Sequence, residues 1–102
     1  MADMGDRVTV SDRAGGGFTL AGELDAFGAS LADGVLGGLP SGLDGHLDVS
    51  GLTFVDSAGL RVLVRLSERL RADGASLHLH DASDALRRLI ELTGLDTAFV
   101  MD

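Results

Sequence analysis

Four stretches of this 102-residue chain alternate polar and apolar residues, and helix-period segments separate the later ones, an order that leaves few folds open. Arg7-Val8-Thr9-Val10-Ser11 and the run through Phe18, Leu20 and Gly22 flank a turn of Gly15, Gly16 and Gly17, which reads as a β-hairpin. His46-Leu47-Asp48-Val49-Ser50 then places Leu47 and Val49 on one face and His46, Asp48 and Ser50 on the other. Ser76-Leu77-His78-Leu79-His80 repeats that pattern. Between these strands, Asp25 is placed to cap a helix in which Phe27, Leu31 and Val35 recur up to Gly37-Gly38, before Pro40. A second helix starts at Ser57; Leu60, Leu63, Leu66 and Leu70, with Val62 and Val64, form its apolar surface, and Arg61, Arg65, Glu68 and Arg69 its charged one, up to Gly74. Ser83 or Asp84 caps a third, with Leu86, Leu89, Ile90 and Ala85 as its inward candidates and Gly94 at its end; Phe99-Val100-Met101 is a candidate edge strand. Strand-helix-strand units demand parallel pairing through right-handed crossovers, and the leading hairpin adds antiparallel pairing. Strands buried on both faces would read as continuous apolar runs, which these do not. The expected fold is α/β, a mixed four- to five-stranded sheet with about three helices packed mainly on one face, and not a doubly wound nucleotide fold.

The length suits one domain, expected over residues 6–101, with residues 1–5 as a short N-terminal tail. There is no Cys, which removes disulfides, thiolate metal sites and cysteine nucleophiles. No apolar stretch approaches the ~20 residues of a membrane span, and the polar, acidic start has no secretory pattern, so direct membrane insertion is not expected and a cytoplasmic location is. A formal charge of −8 repels nucleic acid and anionic membranes and suits a protein partner with a basic face.

Candidate chemistry concentrates where Phe54-Val55-Asp56-Ser57-Ala58-Gly59-Leu60 turns from strand to helix. The turn presents the Ser57 hydroxyl at a helix N-terminus, where unpaired backbone N–H groups and the dipole favour a phosphate; the plain alternative is an ordinary cap by Asp56 or Ser57. A serine hydrolase is disfavoured, because the G-x-S-x-G elbow is absent and neither His46, His78 nor His80 stands in a context that points it at Ser57. His78 and His80, with Asp81 nearby, are better read as polar residues of an exposed sheet face than as metal ligands. The glycine turn is followed by no G-K-[ST], and Asp25 and Asp56 have capping explanations that weaken a Mg²⁺ cluster with Asp48.

Leu47-Asp48-Val49-Ser50-Gly51-Leu52-Thr53-Phe54-Val55-Asp56-Ser57-Ala58-Gly59-Leu60 resembles the central motif of STAS domains, the bacterial anti-sigma factor antagonists. Gly22-Glu23-Leu24-Asp25 is similar to the family's G-E-L-D, and Leu92-Thr93-Gly94-Leu95-Asp96 to its closing G-L-D, in the same order and spacing. The resemblance implies a non-enzymatic binding module without a cofactor or metal, a monomer when free. It further implies that an anti-sigma factor, a serine kinase using ATP, phosphorylates Ser57; that the unphosphorylated form binds this kinase and frees a sigma factor; and that a phosphoserine phosphatase resets the switch. Asp25 matches a position near the partner surface, and Asp48 and Asp56 match acidic positions around the serine. With Ser57, Ala58 and Gly59 these make up the expected partner-binding set. Ala58 stands where many members carry a second serine, leaving Ser57 the one hydroxyl of the turn. A STAS adaptor of a lipid-transport ABC complex or of a stress-sensing assembly, never phosphorylated, is the nearest alternative, and a small-ligand sensor the next.

Overall fold

The computed structural model describes residues 2–4, 8–40 and 42–102. Among the described residues, six strands lie side by side in chain order: β1 (Ala2–Met4), β2 (Val8–Asp12), β3 (Phe18–Leu24), β4 (Gly45–Val55), β5 (Leu77–His80) and β6 (Val100–Met101). The first two pairings are antiparallel and the other three parallel, so the sheet is mixed as its sequence pattern requires. β1 adds an edge to the expected sheet: residues 2–4, assigned to the tail on sequence grounds, pair through their backbones with β2. Residues 1 and 5 of that tail, and Arg7 of the first expected strand, lie outside the described residues.

The helices of the described residues, α1 (Ala26–Leu36), α2 (Ser57–Ala72) and α3 (Asp84–Leu92), follow β3, β4 and β5. The apolar half of each alternation, including Val8, Val10, Leu20, Leu47, Val49, Leu77 and Leu79, is buried beneath them. Leu60, Val62, Leu63, Leu66 and Leu70 of α2 fill the centre of the core, and Leu86 and Ile90 of α3 close one side. Ala85, an inward candidate on sequence grounds, is exposed, and Leu89 is half-buried.

α1 differs from its expected stripe at Phe27 and Val35, and the Leu31 side chain lies outside the described residues. The helix approaches the sheet through Gly28, Ala29, Ala32 and Leu36, and at 100° per residue that turns Phe27 outward, 67% exposed, and leaves Val35 half-buried. The seat is close: a Cβ on Gly28 would stand 2.9 Å from Val8 Cγ1. Small residues permit that approach, which a stripe of large ones would prevent.

β4 carries two extra residues against β3. Thr19 faces Asp48 while Ala21 faces Gly51, and Gly22 faces Leu52 while Glu23 faces Phe54. Each insertion reverses which residues point inward, so the buried set passes from Leu47 and Val49 to Leu52 and then away from Phe54, which is 50% exposed. Gly22, opposite the second shift, sits at φ 95°, a backbone state open to glycine at little cost.

Ser67 of α2 is buried, and its hydroxyl donates to the carbonyl of Ala98, tying α2 to the segment that leads into β6. Ser67→Ala leaves that carbonyl without its donor and should cost about 1–2 kcal/mol, read as a lower urea midpoint at unchanged slope.

Candidate functional site

The parallel strands β3 and β4 end side by side, and each turns straight into a helix through an aspartate. Asp25 Oδ1 accepts from the backbone N–H groups of Phe27 (3.0 Å) and Gly28 (3.1 Å) and caps α1. Asp56 Oδ1 accepts from Gly59 N–H at 2.9 Å and caps α2, while its Oδ2 accepts from Ala26 N–H at 3.2 Å. One carboxylate therefore binds the starts of both helices. Such caps satisfy N–H groups that have no partner inside the helix and complement its positive end.

Gly59 explains why this turn is tight. A Cβ there would stand 2.0 Å from the Leu24 carbonyl oxygen, so only glycine lets the first turn of α2 rest against the end of β3. Ser57, the first residue of α2, is exposed, Ala58 is half-buried and Gly59 is buried. The serine hydroxyl is thus presented to solvent on a turn fixed from beneath by Asp56 and Gly59. The expected residues Asp25, Asp56, Ser57, Ala58 and Gly59 meet at this end of the sheet. Phe27, which the apolar periodicity of α1 would turn inward, and Phe54 of β4 are exposed apolar residues two positions from Asp25 and Asp56.

Asp48 does not join them. It lies seven residues before the end of β4, roughly 20 Å away at extended rise, on the helix-free face. There its Oδ1 accepts from Ser50 N–H at 2.9 Å, and hydrogen bonds from Ser50 hold its carboxyl below the usual carboxylate range. Alignment with a motif gives proximity along the chain, and an extended strand converts that into distance.

The helix-free face carries a second cluster. His46 faces His78 across β4 and β5, and Asp48 faces His80. His46 Nδ1 and His80 Nε2 are 2.9 Å apart and share a hydrogen bond; His78 contacts Asp102 Oδ2 through Nδ1 (2.6 Å) and Asp44 Oδ2 through Nε2 (3.0 Å). This is the polar, helix-free sheet face expected for His78 and His80, but both rings are half-buried in it; β4–β5 pairing adds His46, and Asp44 before β4 and Asp102 after β6 add the two carboxylates. Among the described residues no group of three or more His, Asp or Glu side chains is arranged to hold a metal ion. None of the three histidines hydrogen-bonds Ser57.

Burial opposes the charged form of His78, but hydrogen bonds to Asp102 and Asp44 outweigh it and raise its pKa above the ordinary value of about 6.5. Burial, then the neighbouring His78, lowers that of His46. The stabilisation from protonated His78 is complete below pH ~6.5 and is lost as pH rises through its higher folded-state value. His46 contributes in the opposite sense, losing stability as pH falls below ~6.5. Imidazole NMR titration should therefore place the His78 midpoint above that of His46, and His78→Gln should flatten the fall in melting temperature on the alkaline side.

A mixed sheet with its helices on one face and a single exposed serine on an acid-capped, glycine-packed turn defines an α/β recognition module. The chain belongs to the STAS-domain family: the family model described as Mlab, STAS domain, matches residues 9–101. Its relatives include the anti-sigma-B factor antagonist of Bacillus subtilis, 32% identical over 77 residues that cover 74% of this chain and 71% of that protein. The anti-sigma-B factor antagonist of Listeria monocytogenes is 36% identical over 78 residues, 74% of this chain and 68% of that protein. An anti-sigma factor antagonist from Mycobacterium paratuberculosis has a crystal structure that superposes with a TM-score of 0.74 at 28% identity, covering 92% of this chain and 82% of that one. The fold is shared with the antagonist SpoIIAA in its unphosphorylated form, at a TM-score of 0.66 and 16% identity over 93% of this chain and 86% of that one. Among the described residues no helix is long and apolar enough to cross a membrane.

Proposed function

We propose that this chain is an anti-sigma factor antagonist, a binding module whose partner is an anti-sigma factor with serine-kinase activity and whose phosphoacceptor is Ser57. The observation that carries the reading is the exposed Ser57 hydroxyl on a turn locked by Asp56 and Gly59, in a chain whose relatives bear the antagonist name. A kinase needs an accessible hydroxyl on a stable presentation surface, and Phe27 and Phe54 supply apolar contact area beside it. The unphosphorylated chain binds the anti-sigma factor and displaces the sigma factor; phosphate on Ser57 ends the binding, and a phosphatase restores it. ATP serves the partner and no cofactor resides in this chain.

The test is a displacement assay with sigma and anti-sigma pairs from the same genome. Stoichiometric release of sigma by the unmodified protein, weakened by Ser57→Asp, is the expected result. A stable complex with no release and no dependence on Ser57 would favour the adaptor role in a transport or stress-sensing assembly.

A further inference from the structure

Arg61 is four residues beyond Ser57 on α2, so the two side chains are neighbours on one helix face, about 5–6 Å apart at Cβ. Helical side chains lean toward the N-terminus, which puts the Ser57 turn within reach of the Arg61 guanidinium. Both residues line the same groove between α2 and α3, with Leu60, Val64, Leu89 and Thr93. The next two arginines along α2 are engaged: Arg65 pairs with Asp33 at 3.4 Å, and Arg69 donates to the Leu39 carbonyl at 2.9 Å. Arg61 has no hydrogen-bond or ion-pair partner among the described residues, although the chain carries 16 carboxylates against 8 arginines. The nearest carboxylate along the chain, Asp56, is committed to Gly59 and Ala26.

Resting on the assignment of Ser57 as phosphoacceptor, we propose that Arg61 is the residue that receives the phosphate, closing a charge-assisted pair across one turn of α2. Guanidinium and phosphate match as planar fork and oxygen pair, and i, i+4 spacing lets them meet without moving the backbone. The phosphorylated state is then an internally closed one: the phosphate lies along the α2–α3 groove, and the arginine is withdrawn from any acidic group of the partner. Arg61 is a positioning residue for the modified state and has no part in presenting the bare hydroxyl.

Phosphoserine placed at position 57 during translation, at a recoded codon, makes the test independent of any kinase. The readout is ³¹P NMR titration of the phosphate, whose second pKa in an unpaired phosphoserine is about 6. The dianion gains more from a guanidinium than the monoanion does, so the value in the otherwise unaltered chain should lie about 0.2–0.4 unit below that in Arg61→Ala. Arg65→Ala, which removes the same charge one turn further on, should leave the titration unchanged. Equal midpoints with and without Arg61, or equal shifts for Arg61→Ala and Arg65→Ala, would overturn the pair. Failure of every anti-sigma kinase to modify Ser57 would count against the proposed function alone, because the titration uses phosphoserine already in place.

Discussion

Phosphoserine at position 57 should lower the affinity for the anti-sigma partner by more than about 100-fold while leaving the folded domain intact. The modification adds between about −1.5 and −2 charges at the first residue of α2, where the helix dipole favours negative charge, so the fold has no reason to open. The interface is different. Asp56 already places a carboxylate beside the serine, and any acidic group of the partner within several ångströms is repelled by a few kcal/mol at an effective dielectric of ~20. Ser57→Ala should bind whether or not ATP and kinase are present, and Ser57→Asp should fall between, since one carboxylate has less charge than a phosphate. Titration calorimetry decides it: equal affinities for the modified and unmodified chains would rule out an electrostatic switch.

Gly59→Ala should be strongly damaging for a single added methyl. Its Cβ would stand 2.0 Å from the Leu24 oxygen and 2.9 Å from the Leu24 carbonyl carbon, and Leu24 is fully buried. Backbone cannot yield as a side-chain tip does, so α2 must lift off β3, pulling Gly59 N–H from Asp56 and disturbing the link from Asp56 to Ala26. A loss of about 3 kcal/mol and a fall in melting temperature of about 15 °C are expected, with partner binding lost together with the turn. Gly34→Ala is the matched control. Its Cβ meets nothing within 4 Å in a helical position of α1, and it should stabilise by about 0.5–1 kcal/mol. Similar melting curves for the two variants would mean that the turn is not held by this contact.

Period-two alternation was enough to place β2 to β5 and to predict which face the helices cover, because burial on one side writes itself directly into the residue order. What escaped it depends on distances between elements. Phe27 reads as part of an apolar stripe, yet α1 is seated through its small residues and turns the ring outward. Phe54 ends an apolar run, but two insertions in β4, visible only against β3, rotate it to the surface. The Asp25 cap was legible from chain order, whereas the reach of Asp56 from α2 to Ala26 spans 30 residues and no local pattern announces it. Asp48 went the other way, near in motif and remote in space. Ser57, Ala58 and Gly59 were legible together because a strand-to-helix turn leaves them no room to separate.

Whether Ser57 accepts a phosphate is read from the intact mass of the protein after incubation with ATP and each anti-sigma kinase of its genome, with fragmentation to locate any added phosphate. One phosphate on Ser57, and none on Ser57→Ala, is the expected result. A stable complex with such a kinase that never adds phosphate, or a phosphate on another residue, would contradict it.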